Sequence, residues 1–259
     1  MHDGIFRSEE RRGLGGGGIT QFATEVVARL VGRDGTSCPE LREPLVQRFM
    51  EAVMKGDPES FEALKPELKR ARISYIALAD CYIPEVARRL GVEWEEDRVS
   101  FADVTMGVAR LQAILREIGT TWVANAADRD WTATMLLILP ASEQHTLGAM
   151  VIAGWLRRQG ISVCLRIGPT LAEIAELVST HPFDGAMISI ASEDRLEVCS
   201  KLIRTMKTGT ANKIRVAVGG AVLERGEDVA SATGADIVTN NLEEAVRMLG
   251  LTRQRSLVE

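Results

Sequence analysis

The spacing of apolar residues changes once along the chain, at about residue 132. Before that point apolar residues recur at intervals of three and four, which is typical of amphipathic helices. After it, short apolar runs such as Met135 to Leu139 alternate with segments of helical spacing. Five such units predict an α/β domain built on a doubly wound, flavodoxin-like parallel sheet, preceded by an N-terminal helical bundle.

Three helices are predicted in the first part of the helical region. One apolar stripe starts at Thr20 and a second starts at Leu41. Asp57 is a favourable N-cap residue, and Pro58 suits the first position of a helix because its missing N–H would have no partner there. The pair therefore predicts the start of a third helix.

Two longer helices are predicted to follow. The fourth runs from about residue 66 or 73 to residue 90, with Pro84 expected to kink or break it and Gly91 expected to end it as a C-terminal cap. Ser100 is the predicted cap of the fifth, whose apolar face continues to residue 118.

The sheet domain is predicted from five strand and helix pairs. The predicted strands are 132–139, 162–167, 185–189, 215–219 and 236–239, and the helices that follow them are 147–159, 170–180, 193–207, 222–230 and 242–249. Parallel strands joined by right-handed crossovers place the loops that follow them at one edge of the sheet. Ligands of open α/β sheets bind at that edge.

These patterns predict an order of domains. Residues 1–18, rich in charge and glycine, are expected to form a flexible tail. A helical domain is expected over 19–120, a linker over 121–131, the sheet domain over 132–251 and a second tail over 252–259.

Composition narrows the classes of function. The chain has 259 residues, of which 46% are hydrophobic, and a net charge of −5, so general attraction to nucleic acid is not expected. No apolar run approaches the ~18 residues that span a bilayer, which predicts a cytoplasmic protein. The four cysteines are scattered without paired spacing, so neither a zinc knuckle nor, in a reducing compartment, a disulfide framework is expected.

The loop after the first predicted strand holds the first candidate site. It contains Glu143 and His145, and Gly148 opens the helix that follows. A neutral imidazole is a common metal ligand, and a nearby carboxylate can fix its tautomer. His145 is therefore a candidate metal ligand with Glu143 as its partner, although loop histidines are more often solvated or structurally hydrogen-bonded.

The loops after the third and fourth strands carry polar or small residues. Ser189 and Ser192 offer hydroxyl groups that could bind a ligand nitrogen. Gly219 and Gly220 lack side chains where a strand meets its loop, which lets a ring or a ribose approach the backbone. Taken singly, each of these residues is equally compatible with ordinary turn chemistry.

Taken together, the three loops resemble a known signature. The motifs are Glu143-x-His145-x-x-Gly148, Ser189-x-Ala191 and Gly219-Gly220. They resemble the Asp-x-His-x-x-Gly, Ser-x-Leu and Gly-Gly motifs of the base-off/His-on cobalamin-binding domain, with Glu143 in place of Asp and Ala191 in place of Leu. The resemblance implies that His145 binds cobalt from below and that the nucleotide tail of cobalamin lies between the sheet and its helices.

The helical region resembles the cap that precedes this domain in methionine synthase and its photoreceptor relatives. In the photoreceptors a Trp is followed, after nine residues, by Glu-His, and that His can bind cobalt from above. Here the Trp is Trp94, but Val104 and Thr105 occupy the other two positions. The sequence thus has no evident upper protein ligand, and Trp94 is either a corrin-stacking ring or a cap or core residue.

The combination looks closest to the AerR/PpaA regulators of bacterial photosynthesis genes. That resemblance implies a light-influenced cobalamin sensor, not an enzyme, which acts as an antirepressor by binding a CrtJ/PpsR-type transcription repressor. The implied bound form is aquo- or hydroxocobalamin, left after light removes an upper alkyl group. The alternative is a corrinoid carrier subunit of a methyltransferase.

Overall fold

The computed structural model describes residue 38 and residues 40–124, 131–141, 143, 146–225 and 228–251. Several predicted features lie outside these residues: the helix starting at Thr20, the two terminal tails and the candidate ligand His145.

The described helical region contains five α-helices. They are α1 (Glu43–Lys55), α2 (Pro58–Arg70), the short α3 (Tyr75–Ala77), α4 (Ile83–Glu95) and α5 (Phe101–Ala124), with a π-helical turn at Leu78–Tyr82 between α3 and α4. The two predicted caps are confirmed: Asp57 accepts a hydrogen bond from the backbone N–H of Ser60 at 2.6 Å, and Ser100 accepts one from that of Asp103 at 3.2 Å.

One detail of the predicted fourth helix is confirmed and one is wrong. The stretch is interrupted at Pro84 as predicted, because a π-helical turn, Leu78–Tyr82, directly precedes α4, which begins at Ile83 with this proline in its first turn. Gly91 does not end the helix, because this glycine keeps a negative φ and lies buried within α4, which continues to Glu95.

The sheet has five parallel strands in the order β2-β1-β3-β4-β5. The strands are β1 (Ala133–Leu139), β2 (Ile161–Ile167), β3 (Gly185–Ser189), β4 (Val216–Gly219) and β5 (Ile237–Val238). This order confirms the predicted doubly wound, flavodoxin-like topology. It places a topological switch point between β1 and β3.

Five helices accompany these strands. They are α6 (Thr146–Arg158), α7 (Leu171–Thr180), α8 (Leu196–Gly209), α9 (Val229–Thr233) and α10 (Leu242–Met248). The predicted helix over 222–230 is wrong, because that stretch holds a 3-10 helix (Ala221–Arg225) and only the start of α9.

Helices cover both faces of the sheet. Along β1, Met135 and Leu137 pack in one core with residues of α6 and α10, whereas Leu136 and Ile138 pack in a second core with residues of α7 and α8. Burial on both faces explains why β1 is an unbroken apolar run. Among the described helices, none has the length and apolar character needed to cross a bilayer.

Helix α6 also belongs to the core of the helical region. Its residues Leu147 and Val151 pack in that core, while Ile152 packs in the core of the sheet. At its N-terminal end, Thr146 accepts a hydrogen bond from Gln112 of α5 at 2.8 Å. The helical region is therefore packed directly on the helix that follows the candidate ligand loop.

The cysteine prediction is wrong for one pair. Cys38 and Cys81 form a disulfide, with their Cα atoms 5.8 Å apart. The two residues are separated by 43 positions in sequence, so no local spacing indicates the pairing. Cys164 and Cys199 are free, as expected.

Candidate functional site

The candidate loops meet at the carboxyl edge of the sheet, beside the switch point. Ser189 is the last residue of β3, and its register partner is Gly219, the last residue of β4. The backbone N–H of Ile190 donates to the carbonyl of Gly219 at 3.0 Å, which continues the pairing beyond the strand end. Two of the three motifs thus lie side by side.

Glu143 links the remaining motif to these two. Its side chain is buried, with 6% of the residue exposed, and its Oε2 accepts a hydrogen bond from the backbone N–H of Ala191 at 3.1 Å. A carboxylate that binds a backbone N–H in this way fixes the loop after β1 against the loop after β3. Its predicted pairing with His145 stays a prediction.

Gly148 is buried in the first turn of α6. The preceding residue, Leu147, is fully buried in the core of the helical region. The start of α6 is thus enclosed between the sheet and the helical region, immediately after the loop that contains His145.

A narrow cavity opens between the carboxyl edge of the sheet and helices α6 and α10. Its volume is about 50 Å³. The lining comes from three strands, two helices and the segments after β4 and β5: Leu137, Ile152, Met187, Ile188, Ser189, Ala217, Val218, Gly219, Gly220, Thr239, Asn240, Leu242 and Ala245. We call this cavity the base slot. Its walls are mainly aliphatic, which suits a flat apolar ring.

Ser189 provides the polar group of the base slot that has no protein partner. Its hydroxyl is buried, with 4% of the residue exposed, and makes no hydrogen bond. The other polar side chains of the lining are paired: Thr239 donates to Glu244 at 2.6 Å, and Asn240 both accepts from and donates to the Gly220 backbone. An unpaired buried hydroxyl is unfavourable, so a ligand acceptor in the slot would stabilise it.

The conformation and close packing of the backbone require glycine at positions 219 and 220. A Cβ on Gly219 would lie 2.8 Å from the carbonyl oxygen of Thr239 and 3.3 Å from Oδ1 of Asn240. Gly220 has φ +124°, which other residues rarely adopt. The two glycines thus let the end of β4 pass close to the segment after β5, and they keep that wall of the base slot thin.

Ser192 lies outside the lining. Its hydroxyl donates to the carboxylate of Asp194, at the start of the short 3-10 helix Glu193–Arg195. Of the two candidate serines, only Ser189 lines the base slot.

Comparison with known proteins identifies the family of the sheet domain. A B12 binding domain model matches residues 133–249, which include all five strands. A Rhodobacter capsulatus protein, described as an uncharacterized 20.5 kDa protein in the bchF-crtJ intergenic region, is 41% identical over 181 residues, which are 70% of this chain and 94% of that protein. The chain belongs to the AerR/PpaA-type family of proteins with a B12-binding domain.

Solved structures agree at the level of the fold. A monomethylamine corrinoid protein of Methanosarcina barkeri is 14% identical, with a TM-score of 0.61 over 80% of this chain and 95% of that one. A cobalamin-binding protein from Desulfitobacterium hafniense DCB-2 is 15% identical, with a TM-score of 0.42 over 79% of this chain and 97% of that one. The first of these supports the Rossmann-like fold of the B12-binding domain.

The residues of the base slot fit the tail of a base-off cobalamin. That tail ends in a flat, largely apolar benzimidazole with a nitrogen acceptor, which matches an aliphatic slot with one unpaired hydroxyl donor, Ser189. The helical side of the slot comes from α6 and α10, so a movement of either helix away from the sheet would widen the slot of about 50 Å³.

In this AerR/PpaA-type protein, the residue at the position of the upper histidine is Thr105, whose hydroxyl does not bind cobalt strongly. Thr105 is exposed on α5 and its hydroxyl donates to the carbonyl of Phe101 in the same helix at 2.8 Å. Val104 is buried in the helical core, and Trp94 is partly buried against it. Trp94 thus has the packing expected of a core residue, and its stacking role stays a prediction.

Sequence reasoning missed the wall opposite Ser189. Thr239 and Asn240 come from the segment after β5, and Ala245 comes from α10. The available signal was a run of polar residues, Thr239-Asn240-Asn241, between a strand and a helix. Asn241 in that run is a favourable N-cap residue, and its side chain caps α10.

Proposed function

We propose that this protein is a cobalamin sensor that regulates transcription, in which cobalamin binds base-off with His145 below the cobalt. The observation that carries the cofactor proposal is the buried, unpaired hydroxyl of Ser189 in an aliphatic slot of a B12-binding domain. Aquo- or hydroxocobalamin is the proposed form. Thr105 would supply no imidazole to the cobalt, which agrees with a form that carries water or hydroxide.

Each part of the site has a defined task in this proposal. When bound, cobalamin would supply the cobalt chemistry through which the protein responds to light. Ser189 donates a hydrogen bond to the tail, and Gly219 and Gly220 keep the wall of the slot thin. Glu143 holds the loop after β1 against the loop after β3, and this same loop would present His145 to the cobalt.

The regulatory part of the proposal is supported by the location of the relative's gene between bchF and crtJ. We infer that the partner is a CrtJ/PpsR-type repressor and that the protein relieves repression by binding it. A ligand can shift a conformational equilibrium only if it binds one conformer more tightly. Helix α6 offers a route for such a shift, because it borders the base slot and packs in the helical core.

A corrinoid carrier subunit of a methyltransferase is the second candidate. The fold similarity to the monomethylamine corrinoid protein of Methanosarcina barkeri favours it. In that case the protein would deliver a methyl group to a partner enzyme and would not respond to light by changing shape.

Cofactor binding is tested by mixing the purified protein with hydroxocobalamin and removing free cofactor by gel filtration. The wild-type protein should stay coloured, and His145→Ala should lose the spectrum of the His-ligated form. His181→Ala is the matched control, because His181 is exposed and in contact with Thr180. An unchanged spectrum in His145→Ala would remove His145 as the ligand.

The two functions are separated by two assays on the loaded protein. A sensor should bind a CrtJ/PpsR-type repressor with an affinity that depends on cobalamin and on light. A carrier should instead transfer methyl groups to tetrahydrofolate or thiol acceptors in the presence of the partner enzymes. Methyl turnover without repressor binding would reject the sensor.

A further inference from the structure

Two consecutive residues of the π-helical turn connect distant parts of the chain. Asp80 accepts two hydrogen bonds from Arg158 at the end of α6, each 2.5 Å long. Cys81 is joined through the disulfide to Cys38, which precedes α1. The turn is thus the junction between the N-terminal segment and the helix that borders the base slot.

The two cysteines of the disulfide differ in exposure, which matters for thiol–disulfide exchange. Cys81 is buried, with 7% of the residue exposed, whereas Cys38 is only half-buried. Cys38 is therefore the more exposed member of the pair and the one better placed to meet an external thiol or disulfide. The sequence predicts a cytoplasmic protein, and disulfides in that compartment are usually transient and redox-sensing.

Helix α6 connects this junction to the proposed cofactor site, because α6 also lines the base slot. Ile152 of α6 lines the slot, so a shift of α6 away from the sheet would widen the slot for a benzimidazole. The C-terminal end of α6 is held by Asp80 through Arg158, in a contact where both side chains are largely buried. A bridge at Cys81 restrains the turn that holds Asp80, and through it restrains α6.

We propose that Cys38 and Cys81 form a reversible disulfide switch, in which the dithiol form binds cobalamin more tightly than the disulfide form. The switch rests on the proposed cofactor function. The expected ratio of the two dissociation constants is about tenfold, within the usual range of coupling between two sites.

The redox step needs only a small-molecule disulfide of the glutathione type. The Cys38 thiolate attacks one sulfur of that disulfide and releases one thiolate, which takes up a proton. The Cys81 thiolate then attacks the Cys38 sulfur of the mixed disulfide and releases the second thiol. Two cysteine thiols are thereby oxidised by two electrons, and one external disulfide is reduced to two thiols.

Coupling between the two sites is reciprocal, so cobalamin must also change the redox equilibrium of the pair. If the dithiol form binds cobalamin tenfold more tightly, saturating cobalamin lowers the tendency of the pair to be oxidised. The reduction potential then rises by about 30 mV, which is a tenfold change for a two-electron couple.

The test uses full-length protein in which Cys164 and Cys199 are replaced by serine, so that only one pair can react. Burial raises the pKa of the Cys199 thiol to about 12, so its removal takes away a poorly reactive group. Oxidised protein and reduced protein freed of reductant are titrated with hydroxocobalamin. About tenfold weaker binding is expected for the oxidised form, and equal binding would overturn the proposal.

Two variants locate the coupling. Cys81→Ser should bind as tightly as the reduced form under both conditions. Asp80→Asn should still form the disulfide, as measured by thiol labelling, but the two redox forms should then bind cobalamin about equally. A ratio that stays at tenfold in Asp80→Asn would overturn the route through Arg158.

Failure of the switch can be distinguished from failure of the cofactor proposal. Hydrogen exchange along α6 is measured without cobalamin and should be slower in the disulfide form, whereas equal exchange would overturn the switch. Absence of cobalamin binding in both redox forms, with a redox-dependent exchange rate, would overturn the cofactor proposal and the affinity ratio. Thiol labelling in redox buffers set from about −320 to −180 mV should find both the dithiol and the disulfide. A single state over that whole range would also overturn the switch.

Discussion

Ser189 and Gly219 lie opposite each other at the ends of the adjacent parallel strands β3 and β4. One residue supplies a buried hydroxyl without a protein partner, and the other supplies a wall without a side chain. Ser189 thus forms the polar side of the base slot, and Gly219 forms a side that no side chain fills. Substitutions at the two positions should therefore have effects of different kinds.

Ser189→Ala should separate stability from binding. Removing an unpaired buried hydroxyl should leave the free energy of unfolding unchanged or raise it, by up to about 1 kcal/mol. Cobalamin affinity should fall about tenfold, because the tail loses a hydrogen bond of about 1.4 kcal/mol. Urea unfolding and absorbance titration measure the two quantities.

The matched control for that experiment is Ser179→Ala. The Ser179 hydroxyl is exposed and donates to the carbonyl of Glu176 within α7. Ser179→Ala should change neither the free energy of unfolding nor the cobalamin affinity measurably. A Ser189→Ala protein that is clearly destabilised, with unchanged affinity, would show that the hydroxyl has a structural role.

Gly219→Val should weaken both folding and binding. Its Cβ would meet the carbonyl oxygen of Thr239 at 2.8 Å, and a backbone atom in the next segment can move away only if that segment shifts. We expect a loss of about 1–3 kcal/mol in unfolding free energy and loss of cobalamin binding. Gly119→Ala is the control, because a Cβ there has no neighbour within 4 Å.

Arg158→Met should destabilise the protein in a pH-dependent way. Burial raises the pKa of Asp80 and Arg158 opposes that rise, so removing Arg158 should raise it further. Between the ordinary carboxyl pKa of 3.8 and the raised value, the folded state binds more protons than the unfolded state, so stability falls as pH rises.

The variant should therefore be affected least near pH 4 and most at neutral pH, where the loss should reach about 3 kcal/mol. Urea unfolding at a series of pH values measures this. Lys201→Met, which removes an exposed pair with Glu197, should change stability by less than about 0.5 kcal/mol at each pH. A loss in Arg158→Met that shrinks toward neutral pH would contradict the assignment.

Trp94→Ala tests the two interpretations of that ring. Its partial burial against the helical core predicts a loss of about 2–3 kcal/mol in unfolding free energy. A change in preference between hydroxocobalamin and alkylcobalamins would add a role at the cofactor. Trp131→Ala, at a residue that is 47% exposed, serves as the tryptophan control.

The sheet was predictable because burial on both faces leaves a local signal. β1 reads as an unbroken apolar run, and five alternating units fixed the parallel topology, so the meeting of Ser189 and Gly219 followed from chain order. The structure then added that only Ser189, and not Ser192, lines the slot. That distinction depends on where β3 ends and on the pairing of Ser192 with Asp194, neither of which the motif spacing encodes.

The missed features depend on contacts between distant segments. Gly91 reads as a helix cap by residue type, but burial in the helical core carries α4 past it. The bridge between Cys38 and Cys81 joins residues with no periodic relation. Likewise, Asn240 reads as a turn residue until β5 is placed beside β4, where it binds the backbone of Gly220.

Because α6 contributes Leu147 and Val151 to the helical core and Ile152 to the core of the sheet, neither half of the molecule is complete without the other. A fragment starting at residue 131 would leave Leu147 and Val151 facing water and should self-associate. For the same reason, a shift of α6 by the width of one side chain would be transmitted to both halves at once.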